Sequence, residues 1–434
     1  MFAKQYTRAA VPAAYLGISS ILFMYGYIKG DATFWMGIVL IPLLLHSFPP
    51  GEKTCRLAPV VAMMLLICCF RQELTWRFLL LVLALLFAVE SLFGKLNGQF
   101  FTVLLIISPI FRYVSEVFTF PIRLQISAWA GILLQSIGLP VTVEGNSILL
   151  NGSEFSVDPA CMGLQMTGFA LLAVVFFMAH FRIQRQQSLP SRYQATLLVL
   201  AFALNAIGNL MRIILLVALH IAPDNVLHDA TGIVCLIVYG VVPLFFMVRI
   251  TYQRWGKAAI PPLTANKHHP RLLMSGHWVL LVICVFFCFQ KPVMNIRSPK
   301  GAQAVAREGY VMQQLQTGVT QFRNDHALVY MKPIPAFYSS EHSPLTCWTG
   351  SGYHLSRISK KHVAGRVVYV GSLKKGNDEL LTAWWLSDGR YATISQLDWR
   401  WKSLSENSGF QLINVTADDP IRLDMEVKRW LPPI

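Results

Sequence analysis

Three side chains in this sequence have the types and spacing for covalent chemistry: Cys161, Arg212 and His228. Cys161 lies in Asp158-Pro-Ala-Cys-Met-Gly163, where a polar loop gives way to a long apolar run. Asp158 suits a helix cap and Pro159 a first helical position, which puts the thiol in a first turn. The positive end of the helix dipole lowers a thiol's pKa there and raises its thiolate fraction. Gln165 and Gly168 follow on the same face at i+4 and i+7, and Gly163 leaves room for a substrate to approach the backbone. The plain alternative is a small buried apolar residue, which is how Cys68, Cys69, Cys235, Cys284 and Cys288 read.

Arg212 sits well inside an apolar run, where a charge is expensive and marks a functional site by default. Asn205, Asn209 and Arg212 fall on one helical stripe. Snorkelling is the competitor, since Arg212 is about 12 Å from the helix end at His220 by the helical rise. Snorkelling needs no stripe of aligned amides, so the stripe favours function. His228 opens the next apolar run in Val226-Leu-His-Asp-Ala-Thr-Gly232. A lone interfacial histidine is usually structural, but beside a thiol it is the usual base. Together the three describe thiol acyl transfer. Cys161 attacks a peptide carbonyl, His228 manages the proton, and Arg212 stabilises the oxyanion or binds a substrate carboxylate.

These residues must be positioned by membrane helices. The chain has 434 residues, of which 54% are hydrophobic and only 14% charged. A soluble protein carries about a quarter charged residues, so a purely water-soluble fold is excluded. Disorder is excluded by the same apolar and aromatic content. The excess of 37 Lys+Arg over 22 Asp+Glu, +15 net, matches basic cytoplasmic loops as well as it matches nucleic acid. Eight cysteines without a C-x-x-C pair do not make a disulfide scaffold or a zinc site. No P-loop or nucleotide fingerprint is present, and no metal or cofactor is expected.

Apolar stretches at 11–28, 31–48, 57–71, 76–93, 99–119, 160–180, 194–220, 228–249 and 274–290 predict an all-α polytopic membrane protein of about nine transmembrane helices. Lys4, Arg8, Lys53, Arg56, Lys95, Arg182, Arg185, Arg192, Arg254 and Lys257 fall on one side of this topology, which places the N-terminus in the cytoplasm. No small-residue cleavage site follows the first apolar run cleanly, so it reads as a retained helix. Residues 1–290 form the membrane domain and 291–434 an extracytoplasmic α+β domain. The extracytoplasmic loop at 120–159 reads as a surface helix over 121–137 and short strands over 141–157, with turns at Gly145-Asn146 and Asn151-Gly152. Within 291–434 the pattern predicts a helix at 303–323 and strands at 327–332, 363–373, 380–394 and 410–416. It also predicts amphipathic helices at 395–405 and 420–431.

Pro159-Ala-Cys161-Met-Gly163, Asn209-Leu-Met-Arg212-Ile and His228-Asp-Ala-Thr-Gly232 resemble the three motifs of the exosortase/archaeosortase family. The resemblance covers roughly residues 30–250. It implies a membrane cysteine endopeptidase or transpeptidase, analogous to sortases, in a bacterial inner membrane. Its partners would be membrane lipid and exported proteins that end in a sorting signal: a short motif, a transmembrane helix and a basic tail. A glycan or lipid would serve as acceptor, with water as the alternative, and nucleic acid is not a partner. By position Cys161 is the nucleophile, with Arg212 and His228 completing the site and Asn209, Asn205, Gln165 and Gly163 supporting it. His342-Ser-Pro-Leu-Thr-Cys347-Trp-Thr-Gly-Ser-Gly-Tyr353 is similar to the methanolan-biosynthesis type of accessory domain that some exosortases carry. Cys347 is the single cysteine of 291–434, so it reads as packed with His342, with a second reactive site as the alternative. Two other functions compete. One is a non-enzymatic membrane component of exopolysaccharide export that binds glycan through 291–434. The other is a transporter with Arg212, Asn205 and Asn209 lining its path, although no inverted repeat supports it.

Overall fold

The computed structural model describes residues 2–47, 51–71, 73–157, 164–221, 225–258, 270–290, 307–315, 318–334, 348, 351–406 and 408–432. The chain divides into two compact units. One comprises Met1–Val114, Leu164–Gly208 and Val234–Met294; the other comprises Ser115–Gly163, Asn209–Ile233 and Asn295–Ile434.

The first unit is helical. Its elements are α1 (Phe2–Met24), α2 (Ala32–Ser47), α3 (Ala58–Phe70), α4 (Leu74–Leu92), α5 (Gly98–Ile106) and the start of α6 (Pro109–Ser136). To these are added α7 (Leu164–Arg185), the first part of α8 (Ser191–Ala218), the end of α9 (Val226–Cys235), α10 (Val242–Trp255) and α11 (Pro270–Phe289). Between α9 and α10 the helix widens to a π turn at Leu236–Val241, just before Pro243, which has no N–H to donate. A short pair, β4 (Gln187–Ser188) and β5 (Lys257–Ala258), joins the ends of α7 and α10. One apolar core gathers Leu44, Phe100, Val175, Ala201 and Leu244, and another gathers Tyr15, Met64, Leu81 and Cys284. Glu90, fully buried on α4, is matched by Arg56 at 2.6 Å, as a buried carboxylate requires.

Among the described residues, Leu74–Leu92, Met166–Arg185, Ser191–Ala218 and Val226–Trp255 are long and apolar enough to cross a membrane. Gly98–Ile106 and Pro109–Ser115, bent by 61°, make a fifth candidate if they form one span. Ala9–Met24, Ala32–Ser47, Ala58–Phe70 and Leu273–Phe289 are shorter apolar helices. Each expected apolar stretch overlaps one or two of these helices, but among the described residues spanning length is reached by four, or five with the bent pair, against the nine expected.

The break inside the expected 99–119 stretch has a local cause. Ser108 accepts a hydrogen bond from the Phe111 N–H at 3.2 Å, and Pro109 takes the first helical position. A new helix therefore starts at Pro109 and continues through Pro121 to Ser136. The separate surface helix expected at 121–137 is the C-terminal half of α6.

In the second unit that half of α6 packs on a three-stranded antiparallel meander, β1 (Val141–Glu144), β2 (Ser147–Leu150) and β3 (Ser153–Ser156). Both turns fall where the sequence placed them, with Gly145 at φ +63° and Asn151-Gly152 at +50° and +81°. Positive φ at such positions is what tight hairpins require. Ile126, Ala130 and Leu134 of α6, Ile148, Leu150 and Val157 of the meander, and Ile213 and Val217 of α8 share one core. Gly131 allows the approach, since a Cβ there would stand 2.1 Å from Val143 Cγ2.

The remainder of this unit is an antiparallel sheet. Its strands are β6 (Val311–Gln314), β7 (Thr320–Arg323), β8 (Ala327–Pro333), β9 (His354–Val363), β10 (Arg366–Lys375), β11 (Asp378–Ser387), β12 (Ala392–Thr393) and β13 (Gln411–Ala417). The order is β6-β7-β8-β13-β11-β10-β9, with β12 paired to β11. Every residue of β13 is buried, because both faces are covered. Leu423, Val427 and Trp430 of α13 (Pro420–Trp430) cover one face, and Trp399 of α12 (Gln396–Ser405) joins the core on the other. The helix expected at 303–323 is overturned over its described residues, 307–315 and 318–323: Gly309 and Gly318 take φ of +84° and +74°, and β6 and β7 form instead. The expected 363–373 strand begins at the end of β9 and turns at Ala364-Gly365 into β10, and the 380–394 strand breaks at Gly389.

Candidate functional site

The site is built on the C-terminal half of α8. Asn205, Asn209 and Arg212 are buried, with 7%, 8% and 6% of their surfaces exposed. Arg212 therefore does not reach solvent as a snorkelling side chain would. Asn205 Nδ2 donates to Thr167 Oγ1 of α7 at 2.8 Å, which gives that amide a structural tie within the helical unit.

Facing the end of α8 in the second unit is the first half of α9. Asn225 starts this helix: its side-chain oxygen accepts from the Leu227 N–H at 2.9 Å and its carbonyl from the His228 N–H at 2.8 Å. Arg212 Nη2 then donates to the His228 carbonyl at 3.5 Å. One turn on, Gly232 is buried, and a Cβ there would meet Arg212 Cζ at 2.9 Å. A side chain at 232 would displace the guanidinium. The long bond to His228 uses one of five guanidinium donors, and the buried Arg212 Nε has no hydrogen-bond partner among the described residues. His228 itself is half-buried, with its Nδ1 sealed from solvent. A buried cation with its Nε donor to spare can hold an anion, and the histidine whose backbone it touches is a residue type that exchanges protons near neutral pH.

Cys161 and Gly163 lie outside the described residues, as does the side chain of Gln165. Gly168, on the face expected for Cys161, is a packing glycine: a Cβ there would stand 2.6 Å from Thr33 Cγ2. The chain leading to Cys161 is described up to Val157, which lies in the core that holds Ile213, the neighbour of Arg212. The Val157 carbonyl accepts from Arg123 Nη1 at 3.4 Å, and Arg123 is only 2% exposed. Its setting in Pro-Ile-Arg-Leu-Gln-Ile is the signal that it is buried. Among the described residues, no group of three or more His, Cys, Asp and Glu side chains stands together to hold a metal ion.

No curated protein and no solved structure matches the chain. Residues 32–246 match the family described as Transmembrane exosortase (Exosortase_EpsH). The matched stretch contains Cys161, Arg212 and His228 and ends before the C-terminal sheet. Over these residues the chain belongs to the transmembrane exosortase family.

Proposed function

We propose that the protein is a membrane cysteine endopeptidase and transpeptidase that cleaves the C-terminal sorting signals of exported proteins. Family membership supports a membrane transpeptidase role in general. The observation that carries the assignment to residues is the buried Arg212 guanidinium, held between the His228 carbonyl and Gly232 with a donor to spare. Cys161 is four residues beyond Val157, a reach of at most ~14 Å of extended chain. Val157 shares a core with the helix that bears Arg212.

In this mechanism His228 takes the thiol proton as the Cys161 sulfur attacks the scissile carbonyl. Arg212 stabilises the oxyanion of the tetrahedral intermediate. The C–N bond then breaks, the leaving amine takes the proton from His228, and the acyl group remains on Cys161 as a thioester. A hydroxyl or amine of a glycan or lipid acceptor, or water, attacks the thioester and frees the thiol. In the proposed topology, with nine spans, a cytoplasmic N-terminus and an extracytoplasmic 291–434 domain in a bacterial inner membrane, the site faces outward, where an exported substrate arrives. The test is processing of a sorting-signal substrate in membranes carrying Cys161→Ala. Processing should stop at normal protein abundance, while Cys347→Ala should leave it intact. Loss with Cys347→Ala and retention with Cys161→Ala would overturn the assignment.

A further inference from the structure

Between β9 and β10 the register slips: Val370 pairs with Ser359 and Ser372 with Ser356, so Arg357 and Ile358 face Gly371 alone. This is a β-bulge, and Arg357 takes a left-handed φ of +52°, uncommon for a residue with a side chain. The bulge turns two backbone donors towards the β1–β2 turn. Ile358 N–H donates to Asn146 Oδ1 at 2.8 Å, and Arg357 N–H donates to Ser147 Oγ at 3.2 Å. Both acceptors are buried, Asn146 at 2% exposure and Ser147 at 0%. At Gly145 the backbones come so close that a Cβ would stand 1.7 Å from the Ile358 carbonyl oxygen. The Arg357 guanidinium reaches Glu154 of β3 at 3.3 Å and Glu144 of β1 at 3.5 Å.

The contact does not stop at the turn. The Asn146 carbonyl accepts from the Val157 N–H at 2.8 Å, and the Val157 carbonyl is held by Arg123. Val157 is thus fixed through both of its backbone polar groups, four residues before Cys161. A continuous path runs from the bulge through Asn146 to Val157, four positions before Cys161 in the sequence.

We propose that the β9 bulge is a positioning element for the nucleophile: by gripping Asn146 it sets the place from which Cys161 attacks. This rests on Cys161 as the nucleophile. Asn146 touches neither substrate nor thiol in this account; it is a positioning residue. An atom displaced by about 1 Å near the chemistry can lower a rate about 10²-fold without abolishing binding.

The experiment uses the full chain in membranes and compares wild type, Asn146→Ala and Asn146→Asp on one sorting-signal substrate. Asn146→Ala should lower kcat by ~10–100-fold with KM nearly unchanged, because orientation is lost and binding is not. Asn146→Asp keeps an oxygen to accept the Ile358 N–H and should recover most of the lost kcat. Ser147→Ala removes one acceptor and should lower kcat about 5-fold, giving a readout if Asn146→Ala accumulates poorly. Wild-type kcat in Asn146→Ala and Ser147→Ala, with Cys161→Ala inactive, overturns the positioning role alone. A loss of kcat in Asn146→Ala that Asp does not recover also overturns it. Normal processing by Cys161→Ala would instead remove the assignment on which the proposal rests.

Discussion

The guanidinium of Arg212 lies against the backbone of Gly232, where a Cβ would stand 2.9 Å from Cζ and 3.0 Å from Nε. Glycine is thus required inside α9 by a cation on α8, not by the helix itself. Gly232→Ala should raise intrinsic helix propensity by up to ~1 kcal/mol. It should nevertheless push the guanidinium away and cut processing by about 10²-fold. Processing rate together with membrane abundance checks this: abundance stays normal and the rate falls.

Arg212→Lys separates a held guanidinium from a bare charge. Lysine keeps the charge but lacks the planar fork. The rate of sorting-signal cleavage should fall by about 10²–10³, the usual cost of one oxyanion donor. Reaction of Cys161 with a thiol probe should persist, since it needs no guanidinium. Near-wild-type cleavage would take Arg212 out of the site.

Asn205 and Thr167 form a separable pair, because their 2.8 Å bond lies wholly within the helical unit. Interhelical hydrogen bonds in membranes average ~0.6 kcal/mol and reach ~1.7. Asn205→Leu and Thr167→Val should each lower thermal stability by that order, and the double variant should lose less than the sum. Additive losses would show that the two side chains act independently.

The fold was legible where a local signal dominates. Asn151-Gly152 announces its turn, and the strand at 410–416 and the helices at 395–405 and 420–431 appear within a residue or two of their places. Ser108-Pro109 was an equally plain helix start, but the continuous apolar run around it masked the break. The 303–323 region failed because Val311, Leu315, Val319 and Phe322 mimic a helical period across Gly318. Arg212 and His228 could be singled out from cost and chemistry alone. The reason for Gly232, the partner of Asn205 and the bulge at Arg357 could not, since each depends on a residue distant in sequence.

The basic residues predict a cytoplasmic N-terminus and an extracytoplasmic 291–434 domain. Reporter fusions after residue 295 should give an extracytoplasmic signal, and the same reporter after Arg185 a cytoplasmic one. A cytoplasmic signal at 295 would place the C-terminal sheet away from an exported substrate.

The proposed chemistry passes through a thioester on Cys161, and hydroxylamine tests for it most directly. Added to membranes during turnover, it attacks the thioester and leaves a hydroxamate at the new C-terminus of the cleaved substrate. Mass analysis of that product should find the hydroxamate with the wild-type chain and no cleaved product with Cys161→Ala. A carboxylate product unaffected by hydroxylamine, formed equally by Cys161→Ala, would contradict the account.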